Sequence, residues 1–283
     1  MNLKAHAKIN LSLRVLGKKD NGYHDLEMVN LPVELHDAID CTFLPYSSND
    51  TFITCNDLRL HAGRANLCHK AVDAMRQVYG FTKNFRIDIY KEIPFSAGLG
   101  GGSSDAAATL IAVNKMLKLG ATLDQLKEIG LKVGSDVPFF LENRPCIVRG
   151  IGEKLEPITV KDQYECLIVK PKDGLSTETV YKTCDSFDRL PIDTQGVVEG
   201  LRNGDEERIA NSLGNDLMPP AASLVPEVKK VYEILKAQGF LIASMSGSGT
   251  SVFALTKSAK KAKEVYHKLE KTDYTVILTR TLR

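Results

Sequence analysis

Through the first third of the chain, apolar and polar residues alternate in short runs, the period of half-buried β-strands. Lys8 to Leu16 and Glu27 to Leu35 read as two strands joined through a turn around Asn21-Gly22. Ile39 to Leu44 and Thr51 to Cys55 extend the same sheet. The period then lengthens. Leu67, Ala71, Ala74, Met75 and Val78 fall on one face of a helix predicted over Asn66 to Tyr79. Phe85 to Tyr90 is a strand, an alanine-rich helix begins near Ala106, and Leu123 to Val133 is a further helix stopped near Gly134. The pattern loosens between Gly150 and Asp162, which predicts a domain boundary and two domains, 1–155 and 156–283. Beyond it come a strand over Glu165 to Lys170 and helices at Thr177 to Thr183, Thr194 to Asn203, Glu206 to Leu213 and Glu227 to Gln238. A last helix runs from Ser258 to Lys271 before a final strand.

Composition adds exclusions. A net charge of +2 over 283 residues gives no case for nucleic acid or an anionic membrane as partner. The lysines of the last helix read as a solvated face with Ser258 as its N-cap. The six cysteines are scattered without a C-x-x-C pair, as expected of buried, reduced thiols. Polar residues interrupt the N-terminal run, so it reads as no signal peptide, and a soluble, cytoplasmic protein is expected. The six histidines form no metal-binding spacing, and no serine lies in a G-x-S-x-G elbow.

The chemistry concentrates in four segments. Pro94-Phe95-Ser96-Ala97-Gly98-Leu99-Gly100-Gly101-Gly102-Ser103-Ser104-Asp105 joins a strand to a helix with almost no side-chain bulk. Backbone amides there, with the positive end of the helix dipole, suit a polyphosphate. It is neither a P-loop, which needs a Lys after the last glycine, nor a dinucleotide fingerprint. Lys8 and Asn10 share one face of a strand, as an edge-strand charge or as a site pair. Asp136, in Gly134-Ser135-Asp136-Val137-Pro138-Phe139-Phe140, is either a helix-capping carboxylate or a partly desolvated acid–base group. Ser244 to Phe253 holds a second Gly/Ser turn between two strands, which a β-hairpin explains and which could equally let backbone approach the first glycine segment or a substrate.

Taken in order, Lys8-Ile9-Asn10-Leu11, Gly98 to Ala107 and Met245-Ser246-Gly247-Ser248-Gly249 resemble the three motifs of the GHMP small-molecule kinases. Asp20-Asn21-Gly22-Tyr23-His24, Gly134 to Phe139, Gly150-Ile151-Gly152-Glu153 and Ser176 to Tyr181 are similar to the branch acting on a cytidine-diphosphate-linked methylerythritol. The resemblance implies an α/β chain of the α+β type: a two-domain GHMP kinase fold. Its ATP-binding N-terminal domain would be ribosomal-protein-S5-like, and its C-terminal substrate domain α/β. It implies transfer of the γ-phosphoryl of ATP, with Mg²⁺, to the 2-hydroxyl of 4-diphosphocytidyl-2-C-methyl-D-erythritol in the non-mevalonate route to isoprenoids.

By the same resemblance Asp136 is the catalytic carboxylate and Lys8 lies beside it, favouring its ionised form. Asn10 holds the polyol, Tyr23 and Tyr181 sandwich the cytosine, His24 hydrogen-bonds its polar edge, and Thr177 joins the substrate set. Pro94, Gly98, Leu99, Gly100, Gly101, Gly102, Ser103 and Ser104 wrap the ATP phosphates, and Asn66 and Lys91 lie where the family approaches adenine. The Mg²⁺ ligands stay unassigned: Asp105 reads equally as a dipole partner of its helix, and Ser104 as an indirect contributor. A monomer or weak homodimer is expected. The family often has Pro where His6 and Thr250 stand. Two further readings remain open: a relative acting on another small alcohol, such as mevalonate, phosphomevalonate or a homoserine-like acceptor, and a non-catalytic nucleotide-binding module.

Overall fold

The computed structural model describes residues 1–20, 22–45, 50–57, 59–60 and 63–283. The chain forms two compact units: Met1–Ala7, Leu35–Pro94 and Gly100–Asn143 make the first, and Lys8–Glu34, Phe95–Leu99 and Arg144–Arg283 the second. These contact units interleave along the sequence. The cause is strand length, because β1 (Asn2–Lys18) and β2 (His24–Phe43) each run from one unit into the other. Ile39 to Leu44, expected as a separate strand, continues β2 as far as Phe43. Asn21 lies outside the described residues. The hydrogen bond from Lys19 N–H to Tyr23 carbonyl, at 2.7 Å, still closes the β1–β2 connection.

In the first unit, Ala38 to Phe43 of β2 pair antiparallel with β4 (Phe85–Tyr90), and β3 (Phe52–Cys55) lies parallel on the other side of β4. Helices α1 (Leu67–Tyr79), α2 (Gly101–Leu117), α3 (Leu123–Val133) and α4 (Val137–Glu142) complete it. α2 packs against α1 and α4 and is buried from Ser104 to Leu110, where small alanines admit its neighbours closely. Thr122 and Gln125 form a reciprocal capping box on α3.

In the second unit, Leu26 to Asn30 pair with β5 (Cys146–Gly150), which turns back into β6 (Lys154–Pro157). The loosened stretch after Gly150 begins as this hairpin, its turn held by the Glu153 carboxylate accepting from the Ile151 amide at 2.7 Å. A four-stranded antiparallel sheet runs in the order β11 (Thr275–Arg280), β7 (Glu165–Lys170), β10 (Val252–Thr256) and β9 (Ile242–Met245). Helices α5 (Thr177–Cys184), α6 (Thr194–Asn203), α7 (Glu206–Ser212), α9 (Glu227–Ala237) and α10 (Ala259–Leu269) follow the expected periods, with Ser258 capping α10, and α8 (Met218–Leu224) is an additional short helix. The two-residue β8 (Gly214–Asn215) pairs parallel with Ser12 and Leu13. Among the described residues, no helix is long and apolar enough to cross a membrane.

None of the six cysteines forms a disulfide, and all but Cys55 are buried. Burial pushes the Cys41 thiol up to about 12 and raises those of Cys68 and Cys166 as well. A thiol-reactive disulfide reagent is expected to label Cys55 alone in the native protein and all six sites after denaturation. Rapid native labelling of several sites would contradict this packing.

Candidate functional site

Within the second unit, three segments distant in sequence are joined by one side chain. Asn10 is completely buried, and its carbonyl oxygen accepts from Lys8 Nζ at 2.6 Å, from the Gly247 amide at 2.7 Å and from Ser246 Oγ at 3.4 Å. Its amide nitrogen donates to Asn30 Oδ1 at 2.6 Å and lies 3.4 Å from Met28 Sδ. No hydrogen-bonding capacity is left for a ligand. Through these contacts the residue organises the site from inside. Lys8 is buried too, with its ammonium on Asn10 and its backbone N–H on the Leu99 carbonyl at 3.0 Å.

The Ser-Gly-Ser-Gly turn connects β9 to β10 as the hairpin reading requires, with Met245 opposite Val252. It also meets the glycine segment. Ser246 Oγ donates to the Gly98 carbonyl at 2.9 Å, and a Cβ added to Gly98 would lie 2.0 Å from the Ser246 carbonyl oxygen. With φ at 71°, Gly98 is glycine for both reasons. Asn215 holds the turn from its other side, donating to the carbonyls of Met245 and Gly247 at 2.8 and 2.9 Å. Thr177, at the start of α5, is tied to the same turn through Ser248, hydroxyl to hydroxyl at 2.9 Å. Thr250, where the family often has Pro, donates its hydroxyl to the Asp173 carbonyl at 2.7 Å.

The residues expected at a pyrimidine also lie in this unit. His24 is buried and stacks on Tyr181, with ring centroids 5.1 Å apart and planes inclined by 29°. Its Nε2 is 3.1 Å from Asp185 Oδ1, and that hydrogen bond holds the Asp185 carboxyl below its usual range. An ionised carboxylate can only accept, so the His24 proton sits on Nε2. Tyr23 is exposed next to it in the chain. His24, Cys184 and Asp185 bring metal-capable atoms within 4.8 Å of one another, but Lys18 and Arg189 approach the same carboxylate at 3.8 and 3.7 Å. Elsewhere in the unit an apolar cavity of about 430 Å³ is lined by residues such as Leu213, Met218, Pro219 and Tyr232; none of the candidate binding or catalytic residues reaches it.

The first unit carries the helix that follows the glycine segment. Gly100 is its N-cap with φ at 73°, and no side chain caps the helix. The ladder begins with the Ser104 N–H on the Gly100 carbonyl at 3.0 Å, so the amides of Gly101, Gly102 and Ser103 precede it. That is the donor arrangement an anion needs. The turn bearing Asp136 adjoins it: a Cβ on Gly134 would lie 3.8 Å from Ser103 Oγ. Asp136 is half-buried at the N-cap of α4, and its side chain makes no capping hydrogen bond.

Two residues expected near adenine, Asn66 and Lys91, have protein partners in the first unit. Asn66 caps α1, its carbonyl accepting from the Cys68 amide at 2.8 Å. Lys91, expected where the family approaches adenine, directs its ammonium to Asp37 and, at 2.9 Å, to Asp105, in a buried ion cluster. Burial, assisted by Asp37 and opposed by Lys91, pushes the Asp105 carboxyl up to about 8. The dipole role expected for Asp105 gives way to this pairing. Asp37, Asn30 and Asn215 were not singled out in the sequence. Asp37 did leave a signal, because it alternates with Ile39 and Cys41 on the inward face of β2.

The GHMP kinase N-terminal domain model matches residues 66–144, and the GHMP kinase C-terminal model residues 197–275. The chain is 38% identical over 278 residues to a 4-diphosphocytidyl-2-C-methyl-D-erythritol kinase of Pelotomaculum thermopropionicum, covering 98% of this chain and 96% of the relative. A crystal structure of 4-(cytidine 5'-diphospho)-2C-methyl-D-erythritol kinase superposes with a TM-score of 0.82 at 30% identity, over 100% of both chains. A homoserine kinase structure from Cytophaga hutchinsonii shares the fold alone, at TM-score 0.74 and 18% identity over 99% of this chain and 95% of that one.

Replacing Gly98 with Ala is expected to destabilise the protein by more than about 2 kcal/mol, since a Cβ there meets backbone and the backbone is left-handed. Chemical denaturation measures this; an unchanged midpoint would contradict the close approach of the two turns.

Proposed function

The chain belongs to the GHMP kinases, and from that membership we propose that it phosphorylates the 2-hydroxyl of 4-diphosphocytidyl-2-C-methyl-D-erythritol with ATP. The observation that carries the reading is the bonding of the three motif segments through Asn10, Ser246 and Gly98. Full-length similarity to relatives of that name supports the choice of acceptor.

Phosphoryl transfer asks little covalent chemistry of a protein, chiefly positioning and charge compensation. Asp136 takes or orients the proton of the attacking hydroxyl. Lys8, immobilised on Asn10, offsets negative charge as the phosphoryl group moves. The uncapped amides at the start of α2 hold the phosphates of ATP. Tyr23 and Tyr181 enclose the cytosine, beside the fixed imidazole of His24.

Mg²⁺ takes hard oxygen ligands and usually keeps water and phosphate in its shell. Near the start of α2, Asp105 is committed to Lys91, which leaves the hydroxyls of Ser103 and Ser104 and the Asp136 carboxylate. That sparse oxygen set fits an ion held largely by ATP. When bound, it supplies neutralisation of the phosphate charge.

The direct test incubates the protein with Mg²⁺-ATP and a panel of alcohols, with and without the cytidine diphosphate group, and measures ADP release. Turnover is expected only with the cytidine-linked polyol; equal turnover of mevalonate or homoserine would overturn the acceptor. Asp136→Asn should lower kcat about 100-fold or more with folding intact. Lys8→Ala should act mainly on kcat, as charge stabilisation that grows toward the transition state requires. Near-normal turnover in the first variant, or a pure KM effect in the second, would remove that residue's role. Tyr181→Ala should weaken the cytidine substrate by about 1–3 kcal/mol and leave ATP affinity unchanged. An equal loss for ATP would place the ring at the nucleotide instead.

A further inference from the structure

Lys91, Asp37 and Asp105 form a buried ion cluster that phosphoryl transfer does not itself require. The three side chains are 7%, 0% and 2% exposed. They come from three places in the first unit: Asp37 from β2, Lys91 from the segment leaving β4, and Asp105 from the second turn of α2. Asp37 binds the ammonium with Oδ2. With Oδ1 it accepts from the backbone amides of Glu92 and Ile93 at 2.7 and 2.9 Å. The segment that enters the glycine run is thereby fixed at two successive amides. Asp105 reaches the same ammonium through Oδ2 at 2.9 Å, while its buried Oδ1 has no hydrogen-bond partner.

The cluster also touches the helix start directly. A Cβ on Gly101 would lie 3.0 Å from Lys91 Nζ and 3.1 Å from Ile93 Cγ2, so the first residue of α2 rests on the lysine head group. The amides that suit an anion therefore sit on a layer whose position is set by one lysine. A lone buried cation–carboxylate pair would balance its charge. A second carboxylate on the same ammonium, half satisfied, makes sense where its purpose is to tether the helix that carries it.

We propose that Lys91, with Asp37 and Asp105, is a positioning cluster that sets the first turn of α2 for the nucleotide phosphates without touching the nucleotide through its ammonium. This rests on the reading of α2 as the ATP-phosphate helix. The tether needs an acceptor on residue 105 at the right reach rather than a second negative charge. Asn supplies that acceptor and places an N–H₂ where the unpartnered Oδ1 now lies; Ala supplies nothing.

The test compares Asp105→Ala and Asp105→Asn for KM of ATP, KM of the alcohol, binding of a non-hydrolysable ATP analogue and hydrogen exchange at residues 101–106. Asp105→Ala should raise the KM of ATP and the analogue's dissociation constant about tenfold or more, the scale of one charge-assisted hydrogen bond. The KM of the alcohol should stay within about twofold, and exchange should quicken in the first turn of α2. Asp105→Asn should keep ATP affinity within about threefold and melt no lower than the wild type. Should Asp105→Ala fail to fold, Asp105→Ser, too short to reach the ammonium, gives the same comparison. Unchanged ATP affinity in the folded Ala or Ser variant, equal losses for both substrates, or a failed rescue by Asn would overturn the tether. Absence of analogue binding by the wild type would instead overturn the reading of α2 as well.

Discussion

One buried amide fixes the geometry of the candidate site in the second unit. Asn10 accepts from a lysine on its own strand and from a turn 237 residues later in the chain, and it donates to Asn30 across the sheet. In a low-dielectric interior each of these bonds is strengthened and each unmade one is costly, so the network is satisfied as a whole or not at all. Lys8 and Gly247 both bond Asn10, and Ser246 Oγ lies between Asn10 and the Gly98 carbonyl, the shorter contact being to Gly98. Pre-organisation of this kind suits a reaction in which the protein contributes chiefly the placement of charge.

The first unit answers the same need by another route. Its phosphate-binding candidate is a helix end with no side-chain cap, and such an end would fray unless something behind it were rigid. Rigidity comes from buried alanines that let α1 and α4 pack close, and from the carboxylates that converge on Lys91. Backbone amides, rather than long side chains, are then the groups presented to an anion. Glycines there are a condition for close approach.

Periodicity and capping chemistry made most elements legible: α3, α6, β4 and β7 have the expected bounds, because their apolar faces and end signals agree. The long β2 was less legible, since Asp37 interrupts its apolar face and invites a break where the strand continues. The hairpin after Gly150 was hidden by its charged, proline-containing sequence, which reads as a linker until β6 is seen paired with β5. In the site, unusual local composition drew attention to Lys8, Gly98, Asp136 and the Ser-Gly-Ser-Gly turn. The protein partners of Asn10 and Lys91 were not legible. Whether a polar group faces a ligand or another buried polar group depends on partners far along the chain, and alternation along a strand says nothing of those.

Hydrogen exchange on Asn10→Ala tests the central claim, that one amide couples the strand, the glycine segment and the second turn. Exchange at Lys8, at residues 97–99 and at residues 246–251 is expected to quicken together, while α9 and α10 keep their protection. Loosening confined to the neighbours of residue 10, with the two turns unchanged, would contradict it.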